Sequence, residues 1–293
     1  MTNLSPDRES FISTLYDPES QAYDLFLLNT IDGEWKRLTQ TAEVEYLQDW
    51  SLTNSEILYI TEYTNPIPPQ APLGKLSVLN HETNLQQEVT LSCDIDQAKW
   101  INDQQGILFG GSCADQEGIY QWTLGDVNPT LLVLSERTQF TMSPTKKKIA
   151  FNSIASDGES QVMVLNLENL STVTVPHEPG KKDMGGSWIS SDDQLLSFVT
   201  TRNSLPGEEY VWDQTKDQIY PAPWKDESFV IYSEDQKYWL IGSGTSGNNP
   251  VYMLRDQDTT LEVQLKLPAS MVIITAYIGP LPENKTNRPV TVP

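Results

Sequence analysis

Short apolar runs separated by polar turns fill this chain, and their order repeats. Trp50-Ser51-Leu52-Thr53-Asn54 precedes Ile57-Leu58-Tyr59, and Trp100-Ile101-Asn102-Asp103-Gln104 precedes Ile107-Leu108-Phe109. Further copies are Leu4-Ser5-Pro6-Asp7-Arg8 with Phe11-Ile12-Ser13, Met142-Ser143-Pro144-Thr145-Lys146 with Ile149-Ala150-Phe151, and Tyr232-Ser233-Glu234-Asp235-Gln236 with Trp239-Leu240-Ile241. In these five copies the apolar run begins seven residues after the anchor, and Trp188 needs one inserted residue before Leu196-Ser197-Phe198. The anchors at 4, 50, 100, 142, 188 and 232 are separated by 46, 50, 42, 46 and 44 residues. The runs are rich in Val, Ile, Tyr, Phe and Trp, which suit a pleated, half-buried surface, and no segment predicts a helix.

The remainder of each unit repeats as well. A third strand is predicted at 23–29, 75–80, 118–124, 161–167, 209–213 and 251–254, and a fourth at 35–39, 87–91, 131–134, 172–175, 218–220 and 261–267. Between them stand turn formers such as Asp32-Gly33, His81-Glu82-Thr83-Asn84, Gly125-Asp126 and Asp256-Gln257-Asp258, residue types that tolerate positive φ. Four short strands at a period of about 45 residues predict an all-β, six-bladed β-propeller with four-stranded antiparallel blades, residues 1–279 forming one domain. One or two β-sandwiches are the alternative, which irregular spacing would favour. A propeller must protect its open edge. Met271, Val272, Ile273, Ile274, Ala276 and Tyr277 make a continuous apolar run, so 271–278 is expected to close the ring by joining the first blade as its inner strand. A seventh, truncated blade is the alternative. Residues 280–293 begin Pro280-Leu281-Pro282 and read as a Pro-rich tail or linker.

Charge narrows the partners. The 293 residues hold 40 Asp+Glu against 19 Lys+Arg, a net charge of −21. Nucleic acid and anionic membranes need clustered Lys/Arg and are not expected as partners. No apolar run approaches the ~20 residues of a membrane-spanning helix. His81 and His177 are the two histidines, too far apart for a His-rich zinc site. Both read as surface residues without a triad. Lys146-Lys147-Lys148, the one basic cluster, reads as a solvated hairpin tip.

Cys93 and Cys113 are the two cysteines. They lie ten residues before and ten after Asp103, near the expected hairpin turn, so an antiparallel pair folded there sets them face to face. A cross-strand disulfide implies an oxidising compartment, periplasmic or extracellular. Two free, partly buried thiols are the alternative and would suit the cytosol. No signal peptide precedes the first repeat, so the disulfide reading expects a mature chain or fragment. Asn3-Leu4-Ser5, Asn169-Leu170-Ser171 and Asn284-Lys285-Thr286 fit the glycosylation pattern, which is frequent by chance.

Ligands of propellers bind where the central channel opens, on the face of the loops that lead into the inner strands. Those segments hold Glu45, Asp94, Asp96, Arg137, Asp183 and Glu227. The acids would ring the channel mouth and bind a cation such as Ca²⁺ or a basic segment of a partner. The competing expectation is solvated loop acids, because no compact Asp-x-Asp-x-Asp calcium loop is present. The proline-rich loop 63–74 and the glycine-rich 243–249 fall on the same face, and the latter lacks a Walker lysine.

The units resemble the TolB-like repeat, Trp-Ser-Pro-Asp-Gly followed by two strands and a Leu-Thr ending. Leu4-Ser5-Pro6-Asp7 and Met142-Ser143-Pro144 carry the turn, and residues 23–29 with Asp32-Gly33 and Leu38-Thr39 carry the second half. No copy holds the full five-residue turn. The resemblance covers about residues 1–279 and implies the propeller fold. Its members include TolB of the periplasm, exported proteins, and the propellers of prolyl oligopeptidase-like enzymes. This chain lacks both the Gly-x-Ser-x-Gly elbow of the last group and room for its hydrolase domain. The expectation is therefore a non-catalytic binding or scaffold module with no cofactor beyond a possible Ca²⁺, contacting a protein partner or a second copy of itself. Two alternatives stand: a carbohydrate-active or hydrolytic propeller using paired channel-mouth carboxylates ~5–9.5 Å apart, and a structural subunit of a surface layer or filament.

Overall fold

The computed structural model describes residues 5, 9–17, 21–29, 33–51, 55–62, 74–89, 91–101, 106–190, 192–202, 207–222, 229–232, 238–243, 251–256 and 262–265, the last four segments as backbone. These residues form 23 strands and no helix. No helix among them is long and apolar enough to cross a membrane. The chain divides into two compact units, Met1–Ala222 and Pro223–Pro293.

In the first unit, β1 (Ser10–Asp17), β2 (Ala22–Asn29) and β3 (Trp35–Arg37) pair in order. Next come β4 (Val44–Trp50), β5 (Glu56–Glu62), β6 (Gly74–Asn80) and β7 (Leu85–Glu88). A single parallel bridge, Tyr23 to Val44, links these two groups into one sheet. Three separate four-stranded antiparallel sheets follow. They are β8 (Cys93–Trp100) to β9 (Gly106–Cys113), β10 (Gln116–Thr123) and β11 (Thr130–Leu134); β12 (Phe140–Met142) to β13 (Lys148–Ile154), β14 (Ser160–Asn166) and β15 (Thr172–Thr174); and β16 (Lys182–Trp188) to β17 (Leu195–Thr201), β18 (Glu208–Asp213) and β19 (Gln218–Pro221). The second unit holds one such sheet, β20 (Phe229–Tyr232), β21 (Tyr238–Ser243), β22 (Val251–Asp256) and β23 (Glu262–Leu265).

The repeat pattern locates these strands closely. β4, β8, β12, β16 and β20 end on the anchors Trp50, Trp100, Met142, Trp188 and Tyr232. Among the fourth strands β3, β7, β15 and β23 are shorter than expected, while β11 and β19 are each one residue longer. β3 stops at Arg37 because Thr39 leaves the ladder and its hydroxyl instead accepts the Leu25 N–H at 2.9 Å. Residues 271–278, the tail 280–293 and Glu227 lie outside the described residues.

Packing explains the continuous apolar runs. Successive strand residues face opposite sides of a sheet. Ile57 and Tyr59 of β5 join one core cluster with Ile12, Leu25 and Trp50, while Leu58 and Ile60 join another with Trp100, Ile107 and Phe109. β9 and β13 split in the same way. The sheets of β5, β9 and β13 are thus buried on both faces, and each such Leu or Ile contributes about 1.5–3 kcal/mol.

Candidate functional site

The inner strands carry bulges. The register shifts at Leu47/Asp49 in β4, Ile95/Gln97 in β8 and Met184/Ser187 in β16, leaving Gln48, Asp96 and Gly185-Gly186 outside the ladder. A bulge turns a side chain away from the sheet. It also leaves backbone groups unpaired, and buried ones must find partners. Side chains of the adjacent blade bond backbone groups of these inner strands, at the Gly185 bulge and elsewhere along them. Gln48 Oε1 accepts the Ala98 N–H at 3.2 Å. The Gln97 amide donates to Phe140 O at 2.9 Å and accepts its N–H at 3.1 Å. Asn152 accepts the Gly185 N–H at 3.1 Å and donates to Asp183 O at 2.9 Å.

Along these bulges lie two cavities of about 680 and 450 Å³. Gln48, Asp96, Arg137 and Gln139 line both, so the cavities lie side by side. Tyr46, Ile60, Glu62 and Glu136 complete the first, and Phe140, Phe151, Asn152 and Ser187 the second.

Arg137 and Gln139 reach the cavities from the linker between β11 and β12, which is fixed at three points. The buried Ser135 hydroxyl lies 2.6 Å from Arg137 O and 2.8 Å from Asn152 O, and accepts the Arg137 N–H at 3.2 Å. Thr138 Oγ1 donates to Asp96 Oδ2 at 2.5 Å. Gly110 of β9 lets the linker pass close by, since a Cβ there would stand 1.7 Å from Thr138 O. Among the described residues, the Arg137 guanidinium makes no hydrogen bond or ion pair.

The acids expected to ring the mouth go to different places. Glu45, Asp94 and Asp183 are the second residues of β4, β8 and β16, because those strands start earlier than the pattern suggests. Glu45 is fully buried and accepts the hydroxyls of Thr39 and, at 2.8 Å, Thr41. Burial raises its pKa against the lowering effect of these bonds, and Asp24 adds to the rise. Asp183, 2% exposed, accepts from Thr200 Oγ1 at 2.7 Å and meets His177 Nδ1 at 2.8 Å. Asp94 is half-buried beside Cys93. Of the four described acids Asp96 alone lines these two cavities, and Glu227 is outside the described residues. Among the described residues no three His, Cys, Asp or Glu side chains group closely enough to hold a metal ion.

Two expectations need correction. His177 is no free surface residue: its Nε2 lies 3.4 Å from Asp157 and its ring is pinned between two carboxylates. Burial would lower its pKa, but Asp183 and then Asp157 outweigh that and raise it. With both nitrogens held by carboxylates, the ring serves as a clamp between Asp157 and Asp183. The adjoining groove of about 620 Å³ otherwise presents Val173, Val175 and Trp212, with Asp217 accepting the Trp212 Nε1–H at 3.2 Å. The lysine cluster is also no solvated tip. Lys146 Nζ donates to Trp100 O at 3.1 Å, and Lys148 Nζ to Asp193 O at 3.1 Å and Gln214 Oε1 at 3.0 Å. Only Lys147, paired with Glu168 at 2.9 Å, is exposed on the tip. These lysines bind adjacent blades, a role set by contacts one repeat away.

Cys93 and Cys113 are directly opposite in the β8–β9 register and form a disulfide, with Cα atoms 4.4 Å apart. Gln48, Gln97, Gln139 and Asn152 were not singled out by sequence. Gln48, Gln97 and Gln139 stand two or three residues before the anchors Trp50, Trp100 and Met142, whereas Asn152 has no such mark.

No family model and no curated protein matches this chain. Solved structures do. TolB from Acinetobacter baumannii is 16% identical with a TM-score of 0.55, covering 90% of this chain, which spans 62% of the length of that one. An oligogalacturonate lyase from Vibrio parahaemolyticus is 10% identical with a TM-score of 0.63, over 90% of this chain and 76% of that one. The β-propeller domain of the Trilobed protease from Pyrococcus furiosus, described as having an open velcro topology, is 12% identical with a TM-score of 0.63, over 94% and 83%. The chain therefore has a TolB-like β-propeller fold.

Proposed function

We propose that this chain is a non-catalytic binding or scaffold propeller, exported to an oxidising compartment, that receives a protein partner or small ligand at the leading ends of its inner strands. Its ring has six blades and closes through residues 271–278. The observation that carries the reading is the linker of Ser135 to Gln139. It is rigidly held, yet it offers an uncommitted guanidinium and an exposed amide to the cavities. Groups suited to acid–base work elsewhere, Glu45, Asp183 and His177, are already committed to structural bonds. The disulfide supports the exported location.

Selection of random peptides displayed on phage against the full chain tests this. The selected binders should lose at least about tenfold in affinity on Gln139→Trp, which fills the cavity, a loss of about 1.4 kcal/mol. Leu85→Trp, at an exposed site on β7, should leave them unchanged. Equal binding to both variants would overturn the assignment.

A further inference from the structure

The same cavities indicate the chemistry of what binds, an inference that rests on the reading above. Two unspent donors and one partly spent converge on the lining the two cavities share. The Arg137 guanidinium has no partner among the described residues. Gln139 is exposed. Gln48 is 6% exposed, and its Nε2, which carries two N–H groups, has one long contact of 3.5 Å to Tyr46 O. Among the described residues the one carboxylate on the lining that both cavities share, Asp96, accepts from Thr138. Among the described residues, Asp96 and Arg137 are the only charged groups lining the second cavity. Donors facing such a space call for an acceptor, and a planar guanidinium fork matches a carboxylate with two parallel bonds.

The first cavity has the opposite character. Glu62 and Glu136 line it beside Tyr46, Leu47, Ile60 and Ile95. A small free anion would be repelled by these acids and by the −21 charge of the chain. A chain with an apolar or basic stretch and one terminal carboxylate answers both compartments at once. We propose that the site takes the C-terminus of a peptide segment. Its carboxylate sits on Arg137, Gln139 and Gln48, and its preceding apolar or basic residues lie along Tyr46, Glu62 and Glu136.

The test uses two random-sequence hexapeptide libraries, one with free C-terminal acids and one amidated, passed over the immobilised full chain and read by mass spectrometry. The acid library should be retained at least tenfold over the amide. Arg137→Gln should abolish that preference, Arg137→Lys should keep part of it, and thermal melts of both variants should match the parent. Retention of both libraries alike, or a preference that Arg137→Gln leaves intact, overturns the carboxylate site while leaving a binding module. Retention of neither library overturns both readings.

Discussion

The blades led by β4, β8 and β16 solve one problem with different chemistry. The chain entering each inner strand must be pinned, because the strand itself carries a bulge that interrupts its ladder. In β4 the second residue, Glu45, pins the linker through Thr39 and Thr41. In β16 the equivalent Asp183 pins it through His177, which Asp157 holds from the other side. In β8 the equivalent acid, Asp94, stands beside Cys93, and the pin is the Cys93–Cys113 disulfide across β8 and β9. The position matters and the bond type is interchangeable. What differs is the condition that releases each pin: a reductant for β8, rising pH for β16 and, more weakly, rising pH for β4.

The sharpest break in this comparison is the covalent one. The disulfide closes a loop of 20 residues, and cross-links of that span contribute about 3 kcal/mol through the unfolded chain. Reduction, or the double change Cys93→Ala and Cys113→Ala, should lower the urea midpoint by that equivalent and raise amide exchange in β8 and β9. Before reduction neither cysteine should alkylate on unfolding. Ready alkylation, or an unchanged midpoint, would remove the β8 pin from the comparison.

Much of this was readable from the residues. The anchors gave the ends of the inner strands, because an aromatic or apolar residue is needed wherever one blade packs on the next. The cysteines were readable because cross-strand partners are symmetric about a hairpin. The roles of Glu45 and Asp183 were not. Whether an acid beside a strand end faces solvent or its own linker depends on where the strand begins, a one-residue matter that also inverts the side chain. The lysine cluster misled for a related reason. Lys146 reaches Trp100 and Lys148 reaches Asp193, partners about one repeat away, so no local pattern announces them. Gln97 and Asn152 were hidden likewise, since the backbone groups they bond, in Phe140, Asp183 and Gly185, lie 31 to 43 residues away.

A smaller effect is expected at the β16 pin. His177 has a raised pKa, so its contribution is fully present below its unfolded value of about 6.5 and is lost as pH rises through the folded value. A hydrogen bond to a charged group contributes about 1.5–3 kcal/mol, and partial exposure places His177 at the low end. His177→Gln should therefore cost about 1–2 kcal/mol in urea unfolding at pH 5.5 and clearly less at pH 9. An equal cost at both pH values would mean the ring acts by shape rather than by charge.

The smallest effect, and the finest test, lies at Glu45. Its pKa is raised, chiefly by burial, so between about 4.5 and that higher value the folded chain holds a proton that the unfolded chain has released. Native stability therefore falls as pH rises through this window, the reverse of an acid stabilised by a cation. Glu45→Gln keeps one acceptor oxygen for the threonine hydroxyls and removes the charge that burial penalises. The two effects oppose, so the variant should lie within about 1 kcal/mol of the parent at pH 7. The informative quantity is the slope. The stability of Glu45→Gln relative to the parent should climb from pH 4.5 to 7, because Gln does not titrate. A flat difference would mean that the carboxylate is charged at no cost in both states. Glu45 would then hold its linker as an ordinary anion, and the β4 pin would not respond to pH.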